Sequence, residues 1–178
     1  MRGSRAGDGG ITRLGDGSRV AKDSPLIEAL GEIDELGCVL ALAALDLKGQ
    51  EAGVLRGIQS ELMGLSADLA FPKRRRGLLL QAGCVARLDE TLRAARRRIP
   101  PARGFVLPGG PAASAFCHLA RAVARRAERR VAALPARLNA NPLALPYLNR
   151  LSDLLFVMAR VAASRGGRER AWVPPRPK

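Results

Sequence analysis

Apolar residues recur at three- and four-residue spacing through five separate stretches of this chain, with polar residues filling the positions between them. Over residues 25–47, Leu26, Leu30, Ile33, Gly37, Leu40 and Ala44 mark one face of an amphipathic helix. Ser24 followed by Pro25 is its start signal, an N-cap with proline at the first helical position. A second helix is predicted over 51–71 on Val54, Ile58, Leu62, Leu65 and Leu69. A third, 81–98, ends at Pro100-Pro101, which cannot continue it. The fourth follows the PGGP turn and stops near Pro135, and the fifth spans 142–164 with Asn141 as its cap. No segment alternates with a period of two for long enough to predict a sheet. The expected architecture is an all-α, five-helix bundle with antiparallel neighbours, occupying 25–165. Residues 1–24, rich in Gly, Asp and Arg, read as a loop or ligand-ordered segment, 73–77 as a solvated basic loop, and 166–178 as a C-terminal tail.

The fourth helix carries the most specific pattern. At about 100° of rotation per residue, Ala120, Val123, Ala124, Ala127 and Val131 form its core stripe. Arg121, Arg125 and Glu128, at i, i+4 and i+7, fall together on one shoulder of that stripe, while Arg126 and Arg129 sit round the back as a solvated face. A shoulder guanidinium is partly desolvated and calls for a partner: a carboxylate on a neighbouring helix, another subunit, or a polyanionic ligand. On the first helix Asp34 is the matching shoulder carboxylate, flanked by Leu30, Ile33 and Ala41, with Glu28, Glu32 and Glu35 pointing away. Its pairing is open between a structural ion pair and a catalytic one.

At 178 residues the chain is one domain with enough length to bury a core. A net charge of +14 and a pI near 11.4 favour anionic partners without choosing among them. Aromatics make up only 3% of residues and do not interleave with the basic ones, which argues against a nucleic-acid stacking platform. Cys38, Cys84 and Cys117 lack CxxC spacing and each stands in a helical, apolar context, so three buried free thiols and a reducing, cytoplasmic setting are expected. His118 is the only histidine, read as a helix residue with a satisfied ring, so neither a His-based metal site nor a catalytic triad is supported. No apolar run approaches the ~20 residues of a membrane span.

Three stretches together, AKDSPLIEALGEIDEL, GFVLPGGPAASAFCHLARAVARRAERR and NPLALPYLNRLSDLLFVMAR, resemble the PduO-type ATP:cob(I)alamin adenosyltransferases over nearly the whole chain. The resemblance implies a five-helix bundle assembled as a trimer, with active sites at subunit interfaces. It also implies transfer of the 5′-deoxyadenosyl group of ATP to the cobalt of cob(I)alamin, with release of triphosphate. Because cob(I)alamin is itself the nucleophile, the lack of a catalytic serine or histidine agrees with that chemistry. By the same resemblance Arg125 meets the ATP phosphates, Glu128 and Asn149 order the nucleotide or its Mg²⁺, and Arg129 is a further candidate. Arg121 and Asp34 match a salt bridge across the subunit interface. Phe105, which by pattern alone reads as a core side chain, matches the aromatic that displaces the lower axial ligand of cobalamin and makes cobalt easier to reduce.

The segment SRAGDGGITR resembles the family's ATP loop, with Arg5, Gly7, Asp8, Gly10 and Thr12 matching, and Lys22 further on. Ala6 stands where a Thr is usual and Gly9 where a Lys is usual; Gly37 and Leu30 also depart from the pattern. Two other readings stay compatible with these residues: a corrinoid- or nucleotide-binding protein without turnover, and a basic helical nucleic-acid binder. A reductase, or an enzyme that accepts adenosylcobalamin, is a partner the implied reaction calls for.

Overall fold

Five helices form where the apolar spacing places them: α1 Pro25–Asp46, α2 Gln50–Ala70, α3 Ala82–Arg96, α4 Ala112–Ala132 and α5 Ala144–Arg165. A computed structural model of the chain describes residues 7–71, 77–102, 104–138, 140–166 and 169–174; Arg5, Ala6 and the 73–76 part of the basic run lie outside them. Ser24 caps α1 as its sequence requires, its Oγ accepting from the Ile27 N–H at 3.4 Å with Pro25 in the first turn.

Pairs across the helices fix their directions. Glu61 meets Arg87 and Glu51 meets Arg98, so α2 runs antiparallel to α3. Asp89 pairs with Arg150 and Arg96 with Asp153, so α3 and α5, two steps apart in the up-and-down order, run the same way side by side. α5 is the most buried helix, and from Leu154 to Ala163 every residue except half-buried Phe156 is buried, the pattern of a central helix. Around it Leu36, Leu40, Leu55, Leu62, Leu65, Leu148, Leu151 and Leu155 close one continuous core. No described helix is long and apolar enough to cross a membrane.

Four expectations change. Short strands are present: β1 Ile11–Arg13 pairs antiparallel with β2 Arg19–Ala21, and β3 Val106–Leu107 with β4 Arg170–Ala171. Two or three residues are too few to display a period of two, and the second pairing joins segments far apart in the chain. Arg126 is not a solvated charge: it pairs with Glu32 and Glu35, as Arg130 does with Glu28 at 3.2 Å, so the acidic row of α1 faces α4. These residues sit at i, i+4 and i+7 on one helix and i, i+4 on the other, which lets an antiparallel pair zip by charge. Cys38 is exposed, because its position on α1 opens onto a surface groove; Cys84 and Cys117 are buried. Burial pushes the Cys117 thiol up to about 12.

Asn141 does not cap α5 directly. Its Oδ1 accepts from Leu143 N at 2.9 Å, one turn ahead, and its Nδ2 donates to Asp68 Oδ2 (2.8 Å) and to Leu80 O (2.9 Å). Asp68, 7% exposed, also accepts from the backbone N–H groups of Leu79 (2.8 Å) and Leu80 (3.1 Å). This buried knot ties the end of α2, the approach to α3 and the start of α5 together. Asp68→Ala strands three donors, each worth roughly 1–3 kcal/mol when left unmade, so urea unfolding is expected to show a loss of about 3 kcal/mol with an unchanged slope.

Candidate functional site

The alternating helix directions gather the β1–β2 hairpin, the start of α1, the C-terminal half of α4 and the first turns of α5 at one end of the bundle. The hairpin is closed by Leu14 N to Ser18 O (2.9 Å) and Lys22 N to Gly10 O (2.8 Å), and is docked on α2 through Gly15 N to Ala70 O (3.1 Å). Glycine is needed there at more than one position. Gly10 has φ +74, and a Cβ on Gly15 would lie 2.2 Å from the Phe71 ring. A Cβ on Gly7 would stand 3.1 Å from Lys22 Nζ, so the ammonium folds over the Gly7 backbone. Asp8, Gly10 and Lys22 are exposed and Thr12 is half-buried. The expected loop residues from Gly7 onward thus form one small backbone-rich surface with one ammonium and one carboxylate exposed on it; Arg5 lies outside the described residues.

On the α4 shoulder the expected residues come together as a group. Asn149 Nδ2 donates to Glu128 Oε1 at 3.1 Å across the α4–α5 seam. Arg129 Nη1 donates to the Arg125 carbonyl at 3.0 Å. Arg125 itself is exposed and makes no side-chain hydrogen bond or ion pair among the described residues. An uncommitted guanidinium beside a carboxylate–amide pair is a donor set for a polyanion such as a nucleotide phosphate chain.

Toward the other end, the same shoulder carries three buried polar atoms without a partner among the described residues: Ser114 Oγ, His118 Nδ1 and Arg121 Nε. His118 therefore lacks the satisfied ring expected of it; its ring meets Phe156 edge-on at 6.1 Å. Arg121 lies 6.0 Å from the Phe156 ring centroid. Asp34 does not reach Arg121 within the chain. It is exposed in a groove between α1 and α2, with Leu30, Cys38 and Met63, on the face of α1 turned from α4.

Burial, reinforced by the Arg121 charge, lowers His118 from its ordinary value. The unfolded chain then takes up a proton that the folded chain resists, so the contribution is complete above about pH 6.5 and declines as pH falls below it. His118→Gln is expected to flatten the Tm profile between about pH 7.5 and 5. A profile parallel to that of the parent would exclude His118 as its source.

Phe105 is 78% exposed at the far end of the bundle, so the core reading of this ring is overturned. It stands just before β3, where the backbone has left the core, and borders a cavity of about 300 Å³ with Pro101, Val106, Arg160 and Glu169. A neighbouring cavity of about 290 Å³ shares Arg160 and is lined by Arg96, Pro100, Asp153 and Phe156. Arg160, Glu169 and Trp172 were not legible as site residues. The one usable signal was a tryptophan in a basic, proline-rich tail.

The fold and site define a mainly helical protein with a basic, anion-suited surface at one bundle end and a bare aromatic beside paired cavities at the other. The chain belongs to the cobalamin adenosyltransferase family, whose model matches residues 3–162. It is 43% identical over 166 residues to a cobalamin adenosyltransferase of Cupriavidus metallidurans, covering 92% of this chain and 89% of the relative. Corrinoid adenosyltransferase PduO of Citrobacter freundii is 38% identical over 164 residues, 88% of this chain, and the chain spans about half (48%) of that relative's length. A variant PduO-type ATP:corrinoid adenosyltransferase from Lactobacillus reuteri, complexed with cobalamin and ATP, superposes with a TM-score of 0.87 at 28% identity, covering 95% of this chain and 97% of that one.

Proposed function

We propose that this chain transfers the 5′-deoxyadenosyl group of ATP to the cobalt of cob(I)alamin, forming adenosylcobalamin and releasing triphosphate. The observation that carries this reading is the uncommitted Arg125 beside the Glu128–Asn149 pair on the α4–α5 seam. The cobalt electron pair of the substrate displaces triphosphate from C5′: a cobalt–carbon bond forms, the C5′–O bond breaks, and no proton moves. The protein has to hold C5′ in line with cobalt and stabilise the departing charge. Arg125 serves the phosphates, with Arg129 near it. Asn149 holds Glu128 in place, and the Gly7–Lys22 surface offers backbone N–H groups and one ammonium.

Among the described residues no three His, Cys, Asp or Glu side chains gather to hold a metal. Mg²⁺, which keeps waters and substrate phosphates and takes one or two carboxylates, fits Glu128 as its protein ligand. Bound there, it would neutralise triphosphate charge.

A homotrimer accounts for two unfinished features. Arg121 Nε is buried without an acceptor among the described residues, and Asp34 stands exposed in an apolar groove; a second chain seated on that groove would join them. Cob(II)alamin must be reduced by an external donor, which makes a reductase a working partner. Three free thiols suit the cytoplasm.

The deciding experiment is the visible spectrum of cob(II)alamin titrated with the protein, with and without MgATP. A long-wavelength band that needs MgATP reports four-coordinate cobalt and supports the reading. No change at saturating MgATP favours the binding-only reading. Gly9 motivates that second reading, because it stands where the family carries a lysine and nothing lies within 4 Å of a Cβ built there. Gly9→Lys is therefore expected to fit and to tighten ATP about tenfold, the equivalent of about 1.4 kcal/mol from one charge-assisted contact. An unchanged Kd would show that the hairpin does not face the nucleotide.

A further inference from the structure

Residues 169–174 read as a tail by composition, yet their contacts lead back to the loop that carries Phe105. β4 pairs with β3 immediately after Phe105, in the register Val106 to Ala171 and Leu107 to Arg170. Trp172 N donates to Phe105 O at 2.8 Å, and the two rings meet edge-on with centroids 6.1 Å apart. Next to this ladder Arg160 Nε donates to Glu169 Oε1 at 2.5 Å and Nη2 to Glu169 Oε2 at 3.3 Å. The same Nη2 donates to Pro100 O at 3.0 Å. Arg160 is 5% exposed, projects from the central helix, and lies 5.9 Å from the Phe156 ring centroid.

One guanidinium thus holds both sides of the Phe105 segment: Pro100, from which the loop departs, and Glu169, which leads into the strand laid along it. The planar fork suits that task, because its donors leave in fixed, divergent directions. A two-residue ladder is too short to persist unaided. Among the described residues Phe105 makes no core contact that would fix its ring, so its position depends on the strand pairing, the Trp172 contact and the ion pair behind them.

We propose that residues 169–172 form a strap that sets Phe105 at the corrin, with Arg160 and Glu169 as positioning residues and Trp172 as the aromatic stop for the Phe105 ring. The proposal rests on the cobalamin reading above for what Phe105 does, and on the contacts alone for what holds it. Glu169→Gln and Arg160→Lys both weaken the fork, the second while keeping the charge.

Trp172 is the single tryptophan of the chain, so its fluorescence reports the strap with no ligand present. In both variants its emission is expected to move to longer wavelength and its anisotropy to fall, with far-UV circular dichroism unchanged. At saturating MgATP the four-coordinate cob(II)alamin signal is expected to fall roughly tenfold, within the hundredfold that a 1 Å misplacement can cost. MgATP affinity, read at the other end of the bundle, stays within about twofold. Glu169→Asp recovers part of both signals. Unchanged Trp172 emission in Glu169→Gln would overturn the strap. Shifted emission with an undiminished cobalt band would overturn the positioning role. A parent protein that gives no cobalt band at all would instead sink the adenosyltransferase reading and with it the strap's service to cobalt, while the fluorescence would still decide what holds Phe105.

Discussion

Arg125→Ala is expected to raise the Kd for MgATP by roughly ten- to a hundredfold, the range that follows from losing about 1.5–3 kcal/mol of charge-assisted hydrogen bonding. The structure makes this a clean substitution. Arg125 is exposed and commits its side chain to nothing among the described residues, so its removal strands no partner. Alanine is also the better helix former, and Tm should hold or rise slightly. A loss of affinity with an intact Tm therefore reports a ligand contact. Arg126→Ala makes the contrast on the same helix: it breaks the pairs with Glu32 and Glu35, should lower Tm, and should leave MgATP affinity alone. Isothermal titration and thermal melts on the two variants separate the roles. Equal ATP affinity in Arg125→Ala and the parent would remove Arg125 from the nucleotide site.

The helical core was legible because burial imposes a period: Ala120, Val123, Ala124, Ala127 and Val131 are all buried as their spacing requires. The Arg121–Arg125–Glu128 shoulder was legible for the same reason, since a helix fixes which residues share a face. What lies opposite a face is not written in one helix. Arg126 read as a solvated charge because its partners are on α1, more than ninety residues away. His118 read as satisfied because only three-dimensional packing reveals that its Nδ1 meets no donor or acceptor among the described residues. The strap was invisible because a two-residue strand has no period, and its meaning lies in Phe105, more than sixty residues earlier. The family resemblance supplied a role for Phe105 that pattern alone assigned to the core.

Phe105→Ala is expected to leave Tm unchanged and to lower turnover from cob(II)alamin under reducing conditions by about a hundredfold, equivalent to about 2.7 kcal/mol of barrier. The stability half follows from exposure: a ring 78% open to solvent contributes little to folding, and its edge contact with Trp172 is the one ring contact among the described residues that truncation removes. Keeping a large apolar side chain in water at the mouth of a cavity makes sense where a ligand covers it. The catalytic half follows from what the ring would do there. An apolar face against the lower side of cobalt excludes the oxygen or nitrogen ligand that otherwise occupies it, and the reduced coordination makes the metal easier to reduce. The loss should therefore be largest when reduction of cob(II)alamin limits the rate, and smaller when cob(I)alamin is supplied already reduced. MgATP affinity should not change, because Arg125, Glu128 and Asn149 lie at the other end of the seam, about 16 Å along α5 from Arg160 to Asn149 at 1.5 Å per residue. Parent-like turnover from cob(II)alamin in Phe105→Ala would leave the exposed ring without a function in this chemistry and would direct attention to Trp172 beside it.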